Sequence, residues 1–169
     1  METQTNQSRF SDGQKLLSIW NKLAGIPGGR LLFNFLIARK IPYSATTGAK
    51  VDVLNPGYAK LVLKDKPSIR NHLNSIHAIA LTNFGELTSG LALNTGLPAN
   101  VRGIVTKITT EYFKKARGTL TAECQCELPN VTHDMEYTVK AVIKDHDNDI
   151  VANVIVQWRL GLRQNNQHG

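Results

Sequence analysis

The chain has 169 residues, of which 41% are hydrophobic and 20% charged, as is typical of one soluble globular domain with a buried core. No run of about 18 apolar residues is present, and the first residues lack the layout of a secretory signal, so we expect a cytoplasmic protein without a membrane span. The net charge of +7 favours anionic ligands. Because this charge is spread along the chain with few aromatic residues, we expect no nucleic-acid partner.

Residues 1–40 are predicted to form a polar tail followed by a helical arm. Apolar residues at helical spacing between positions 16 and 23 predict the first helix, with Ser11 or Asp12 as its N-terminal cap. Glycines and a proline end this helix, and a second short apolar helix is predicted at 31–37.

Residues 41–163 are predicted to form an α+β domain, and residues 164–169 a disordered tail. Two strand-like runs, 49–54 and 58–63, flank an Asn-Pro-Gly sequence that is typical of a hairpin turn. A long helix is predicted next, capped by Asn74 or Ser75, and five apolar residues define one face of it: Ile76, Ala80, Phe84, Leu87 and Leu91.

Four consecutive strands with short turns complete the domain, at 101–114, 117–128, 134–145 and 150–162. The order is therefore β-β-α-β-β-β-β, which predicts an antiparallel sheet with one face covered by the long helix. The acidic segment 145–149 lies at the last turn and lacks the glycine and closing glutamate of a calcium loop, so we expect a hairpin turn and no metal site.

The start of the long helix carries a polar motif. Asn71 is followed after five residues by His77, Ala78 and Ile79, and Glu86 lies nine positions after His77. This spacing resembles that of the PaaI-like acyl-CoA thioesterases, in which an Asn, His-Gly-Gly and an acidic residue occupy these positions. The chain departs from that family in having Ala-Ile for Gly-Gly and Glu for the more common Asp.

Two distant segments add to the resemblance, which covers about residues 40–162. Asn55-Pro56-Gly57-Tyr58 is similar to the first hairpin turn of these proteins, and the segment 111–122 is similar to their characteristic strand-turn-strand. The likeness is greatest to an uncharacterised branch with N-terminal helices. The resemblance implies the hotdog fold, in which an antiparallel sheet wraps around a long central helix.

The resemblance also implies an active site for hydrolysis of acyl-CoA or another acyl carrier thioester. The backbone N–H groups of Ala78 and Ile79, at the positive end of a helix, would stabilise an oxyanion. Asn71 and His77 would orient the carbonyl or a water, and Glu86 would act as general base or nucleophile. It further implies a homodimer or a dimer of dimers, and no cofactor beyond the coenzyme A of the substrate.

Other candidate residues follow from position and charge. Asn83 shares the polar side of the helix with Glu86, which makes it a candidate substrate-binding residue. Lys114, Lys115 and Arg117 are candidates for contacts with the phosphates of coenzyme A. Exposed charges that keep a strand end soluble are an equally good interpretation of these three residues.

Two alternatives remain open. The first is a hotdog module that binds acyl-CoA without catalysis. The second is a hotdog dehydratase or hydratase, because His72 lies 14 positions before Glu86, the spacing that such enzymes use. The chain lacks their Pro- and Gly-rich loop between the two residues, which disfavours the second alternative.

Overall fold

A computed structural model describes residues 10–163 of the protein. The predicted C-terminal tail at 164–169 and the first nine residues of the predicted N-terminal tail lie outside this range. The helices are α1 (Asp12–Leu23), α2 (Gly29–Lys40), α3 (Pro42–Ala45) and α4 (Ala78–Asn94), with a short 3-10 helix at Pro67–Ile69. The strands are β1 (Lys50–Asn55), β2 (Tyr58–Leu63), β3 (Val101–Tyr112), β4 (Leu120–Gln125), β5 (Met135–Lys144) and β6 (Ile150–Leu162).

The six strands form one antiparallel sheet in the order β1-β2-β4-β5-β6-β3. Helix α4 lies across one face of the sheet, in contact with β2, β4, β5 and β6. The predicted α+β class and the order β-β-α-β-β-β-β are therefore confirmed. Strand β3 is an edge strand of twelve residues, and it pairs only with β6 within the described part of the chain.

The face of α4 that packs on the sheet is rotated from the predicted one. Leu81, Phe84 and Thr88 are buried against the strands, whereas Ile76 precedes the helix and Leu87 is only half-buried. Gly85 allows this close packing, because an added Cβ there would collide with the side chain of Val154 on β6. Part of the predicted stripe was wrong because α1 and α3 pack against a second side of α4.

The N-terminal cap of α4 is His77, and the predicted caps Asn74 and Ser75 are wrong. Asn74 occupies a turn, with φ of 58°. After this turn Ile76 forms a bridge with Arg70, which keeps the chain extended up to His77. The helix therefore starts later than the apolar spacing suggests.

The arm packs tightly on the end of α4. Ser11 caps α1, as predicted, and its Oγ also donates to the carbonyl oxygen of Leu97 at 3.2 Å. An added Cβ at Gly13 would collide with the carbonyl oxygen of Asn94, so the two helices meet backbone to backbone. Helix α2 is longer than predicted, and α3 was not predicted. The arm thus packs directly on the predicted domain of residues 41–163. The division of the chain at residue 40 stays a prediction.

None of the helices described, from residue 10 to residue 163, has both the length and the apolar character needed to cross a membrane.

Candidate active site

The start of α4 offers two free backbone donors. His77 caps the helix with its own ring, since Nδ1 accepts a hydrogen bond of 3.1 Å from the N–H of Ile79. The N–H groups of Ala78 and Ala80 have no acceptor within residues 10–163. Of the two predicted oxyanion donors, Ala78 is therefore available, and Ile79 is already bonded to His77. Ala80, which the motif did not single out, is the second free donor.

Asn71 organises the loop before the helix. Its Oδ1 accepts from the backbone N–H of Leu73 at 2.9 Å and from both the N–H and the Oγ of Ser75, at 3.3 and 3.2 Å. This is the local turn chemistry that Asn commonly supplies. The Oδ1 atom is thus committed to the loop, and only the Nδ2 group of Asn71 has no partner within the described chain.

One cavity next to the start of α4 is lined by three of the predicted site residues. We call this space the loop cavity; its volume is about 210 Å³ and its lining includes His77, Ile79 and Asn83. The Oδ1 atom of Asn83 is buried, with no hydrogen-bond partner in the described residues. Buried polar atoms normally have a partner, so Asn83 is ready to accept a hydrogen bond from a bound group.

Glu86 lines a different cavity, between α4 and the helical arm. We call it the arm cavity; it measures about 230 Å³ and is lined on the arm side by Leu16, Ile37 and Ile41 and on the sheet side by Trp158. Burial raises the pKa of the Glu86 carboxyl, since desolvation penalises its charged form. No hydrogen-bond donor or cation pairs with this carboxyl in residues 10–163.

The raised pKa has a consequence for stability. The folded protein favours the neutral carboxyl of Glu86, so stability falls as the pH rises from the ordinary value of about 4.3 through the raised one. We therefore expect Glu86→Gln to increase the free energy of unfolding at neutral pH. Below the ordinary pKa, where Glu86 is neutral in both states, the two proteins should have nearly equal stability.

Urea unfolding at neutral and at acidic pH measures this difference. Glu127→Gln is the matched control, because it removes the same charge from an exposed position. The difference in free energy of unfolding between Glu86→Gln and the native protein is compared at the two pH values. A variant that loses stability relative to the native protein as the pH rises to neutral would contradict a desolvated carboxyl.

The groups predicted to act together are separated along one helix. His77 lines the loop cavity and Glu86 the arm cavity, and nine residues of helix place them about 13 Å apart along its axis. The N–H of Ala78 and the carboxyl of Glu86 therefore do not meet at one carbonyl group within a single chain.

The three predicted phosphate-binding residues lie outside both cavities. They differ in the ion pairs and hydrogen bonds that they already form within the chain. Lys114 forms ion pairs with Asp145 at 2.6 Å and Asp149 at 2.8 Å, and these carboxylates raise the pKa of Lys114. Arg117 donates weakly, at 3.4 Å, to two carbonyl oxygens of the loop at 73–74. Lys115 is exposed and has no ion pair among the described residues, so it remains the freest of the three for a phosphate.

The acidic segment 145–149 is a turn, as predicted. Asp145 accepts from the backbone N–H of Asp147 at 3.1 Å and of Asp149 at 3.0 Å, which closes the hairpin between β5 and β6. Within residues 10–163, no three His, Cys, Asp or Glu side chains are arranged to hold a metal ion.

Sequence reasoning missed a hydroxyl network that attaches β3 to the start of α4. The Oγ1 of Thr82 lies 2.9 Å from both the Oγ1 of Thr110 and the hydroxyl of Tyr112. The Tyr112 hydroxyl also donates to the carbonyl oxygen of Ala78 at 3.0 Å. The sequence feature that could have indicated this network is the alternation of hydroxyl residues near the end of the third strand. The network holds the carbonyl group of Ala78 in position.

Trp158 was also missed. Its indole is 95% buried (5% exposed), lines the arm cavity, and has an Nε1 without a hydrogen-bond partner in the described part of the chain. The ring lies between Gly90 of α4 and Gly103 of β3. Only the packing of the last strand against the helix brings it there, so no local pattern could have indicated it.

Solved structures share this architecture. A probable thioesterase from Pseudomonas aeruginosa has a TM-score of 0.71 at 24% identity, over 82% of this chain and 97% of that one. A thioesterase from Haemophilus influenzae has a TM-score of 0.64 at 11% identity, over 75% and 87%. A hypothetical thioesterase from Streptococcus pneumoniae, solved with coenzyme A, has a TM-score of 0.62 at 16% identity, over 75% and 99%.

The sheet order and these likenesses define a hotdog-fold protein of the architecture found in thioesterases. Residues 29–160 match the family described as "Domain of unknown function (DUF4442)", and the chain belongs to that family. No curated protein matches the sequence.

Proposed function

We propose that this protein hydrolyses acyl thioesters of coenzyme A or of an acyl carrier, with Glu86 as the catalytic carboxylate. The observation that carries the proposal is a desolvated, unpaired carboxyl that faces a largely apolar cavity in a hotdog fold. A raised pKa brings a carboxyl closer to the working pH, where a general base is most effective. The coenzyme A bound by the Streptococcus pneumoniae protein supports this class of ligand.

The reaction needs a base and an oxyanion site at the same carbonyl. In the route through water, Glu86 takes a proton from water as the oxygen adds to the thioester carbon. The carbonyl oxygen becomes an oxyanion, which the N–H of Ala78 stabilises. The C–S bond then breaks, and the thiolate receives the proton that Glu86 holds. Direct attack by Glu86 would instead give an acyl anhydride that water opens.

A homodimer would bring the two halves of the site together. The distance along α4 separates Ala78 from Glu86 in one chain, whereas a two-fold axis beside α4 would place the helix start of one copy near Glu86 of the other. The free edge of β3 supports such pairing. Ile104 and Ile108 on this long strand are 59% and 40% exposed, and uncovered apolar edges are rare in proteins that stay monomeric.

We expect the purified protein to have twice the mass of the chain, or four times that mass if two dimers associate. Light scattering after gel filtration measures it. Lys substitution at Ile108 should shift the mass towards that of a monomer and reduce hydrolysis with it, because a charge at an edge opposes strand pairing. A fully active monomer would contradict a site shared between two copies.

A panel of acyl-CoAs tests the activity itself. Short, medium, long and aromatic acyl groups are offered in turn, and the released thiol is detected. Hydrolysis of at least one of them is expected. Tight binding of acyl-CoA in calorimetry without release of thiol would instead favour a binding module. The bond between His77 and the Ile79 N–H is the specific feature that fits this second function, because it leaves fewer donors for an oxyanion.

The dehydratase alternative has less support. His72 is exposed on the loop before α4 and does not line the arm cavity that contains Glu86. A hydratase would need a general acid and base within reach of one substrate carbon chain.

A further inference from the structure

The walls of the arm cavity come from three parts of the fold. Helix α4 contributes Glu86, Leu87, Gly90 and Leu91, and the last strand contributes Trp158. The arm supplies the remaining apolar wall. The carboxyl of Glu86 is thus one of the few charged groups beside a mainly apolar space.

The arm wall is built into the fold. The side chain of Ser11 bonds to the Leu97 carbonyl, and Gly13 contacts the Asn94 backbone. Between α1 and α2, the rings of Trp20 and Phe33 pack edge to face with centroids 4.9 Å apart. These contacts are specific and buried, so the cavity has a defined width.

We propose that the arm cavity holds the acyl chain of the substrate, with the thioester carbonyl at Glu86, and that the helical arm of the same chain thereby sets acyl-chain length. This inference rests on the proposed thioesterase activity. An apolar space beside the catalytic carboxylate is where a hydrocarbon chain attached to the reacting carbonyl would lie.

The volume supports a chain of several carbons. An apolar cavity of about 150 Å³ is sufficient for benzene, a six-carbon ring. The arm cavity, at about 230 Å³, is larger. A neighbouring space of about 260 Å³, here called the outer cavity and lined by Ala38, shares Ile37, Ile41 and Leu87 with the arm cavity, but we place no part of the acyl chain in it. A medium-length acyl group is therefore the expected preference.

Gly90 is the position at which the arm cavity can be narrowed. A Cβ added there would lie 3.5 Å from the Trp158 ring, which is ordinary contact, and replacing Gly within a helix favours the helical backbone. Gly90→Leu should lower hydrolysis of decanoyl-CoA at least tenfold more than that of acetyl-CoA. On the arm, Leu16→Ala widens the same space and should shift the preference towards palmitoyl-CoA.

Ala38→Leu is the matched control. It adds the same side chain to the outer cavity, which it should narrow without changing the ratio of decanoyl-CoA to acetyl-CoA hydrolysis. The inference would be overturned if Gly90→Leu lowered the hydrolysis of all chain lengths equally. It would also be overturned if Ala38→Leu lowered the hydrolysis of decanoyl-CoA more than that of acetyl-CoA. If Gly90→Leu did not fold, an unchanged preference in Leu16→Ala would overturn it as well.

A binding measurement separates this inference from the activity. In a Trp20→Phe background Trp158 is the only tryptophan, and non-hydrolysable alkyl-CoA thioethers of increasing length are the probes. We expect the Trp158 emission to shift with the longer alkyl groups and not with the methyl thioether. If the emission shifts but no acyl-CoA is hydrolysed, the arm cavity binds the acyl chain and the proposed activity is wrong. If long acyl-CoAs are hydrolysed but the emission does not shift, the activity is retained and the assignment of the arm cavity is wrong.

Discussion

Glu86→Gln is expected to lower kcat/KM for the preferred acyl-CoA by about 100-fold or more. The substitution keeps the size and nearly the shape of the side chain, but an amide neither accepts the proton of water nor attacks a carbonyl. Because the carboxyl has no partner within residues 10–163, no ion pair or hydrogen bond is broken by the change. Initial rates of thiol release, with the native and variant proteins at equal concentration, measure the effect.

The pH dependence gives a second readout of the same group. As a base, Glu86 must be ionised, so the rate should fall with decreasing pH through a pKa above the ordinary carboxyl range. Asp12 and Lys40 also line the arm cavity and face the same space. Glu127→Gln, on an exposed loop, should leave both the rate and its pH profile unchanged. Hydrolysis that survives Glu86→Gln would remove Glu86 from the mechanism and leave the fold assignment intact.

Ala78→Pro is expected to reduce kcat by about 100- to 1000-fold, the usual effect of removing one oxyanion donor. Proline removes the N–H of residue 78 and leaves the rest of the backbone in place. Position 78 is the first residue of α4, where proline is well tolerated. The preceding His77 has φ of −63° and ψ of 140°, which is the conformation that a following proline requires.

Two comparisons make this test specific. Ala78→Ser changes the side chain but retains the N–H, so its kcat should stay close to that of the native protein. Thermal unfolding of Ala78→Pro should occur near the native temperature, which separates a lost donor from a damaged helix. Full activity in a folded Ala78→Pro protein would mean that the oxyanion is stabilised elsewhere, and Ala80 has the next free N–H.

The elements that were predicted correctly depend on local chemistry. The turn before β2 is an example, because Gly57 has φ of 75°, a conformation that favours glycine. The cap of α1 is another, because Ser11 accepts a hydrogen bond from the backbone N–H of Gln14, three residues later in the chain. In these cases the residues that determine the structure are close in sequence.

The features that were missed depend on contacts between distant segments. The cap of α4 is His77 because a bridge between Arg70 and Ile76 holds the preceding chain extended. Glu86 is half-buried because the arm packs over α4, whereas an amphipathic pattern alone places such a residue at the surface. Neither the bonded state of the Ile79 amide nor the position of Trp158 has a counterpart in the local sequence.

Helix α1 lies outside the segment 29–160 that defines the family, yet it forms part of the wall around the arm cavity. Glu86, the start of α4 and all but the last two residues of the sheet lie inside that segment. A family member with a different sequence before the matched segment would therefore keep the same chemistry while presenting another wall to its substrate. Exchange of α1 between members would be a route to new acyl preferences that leaves the sheet and its hydrogen bonds unchanged.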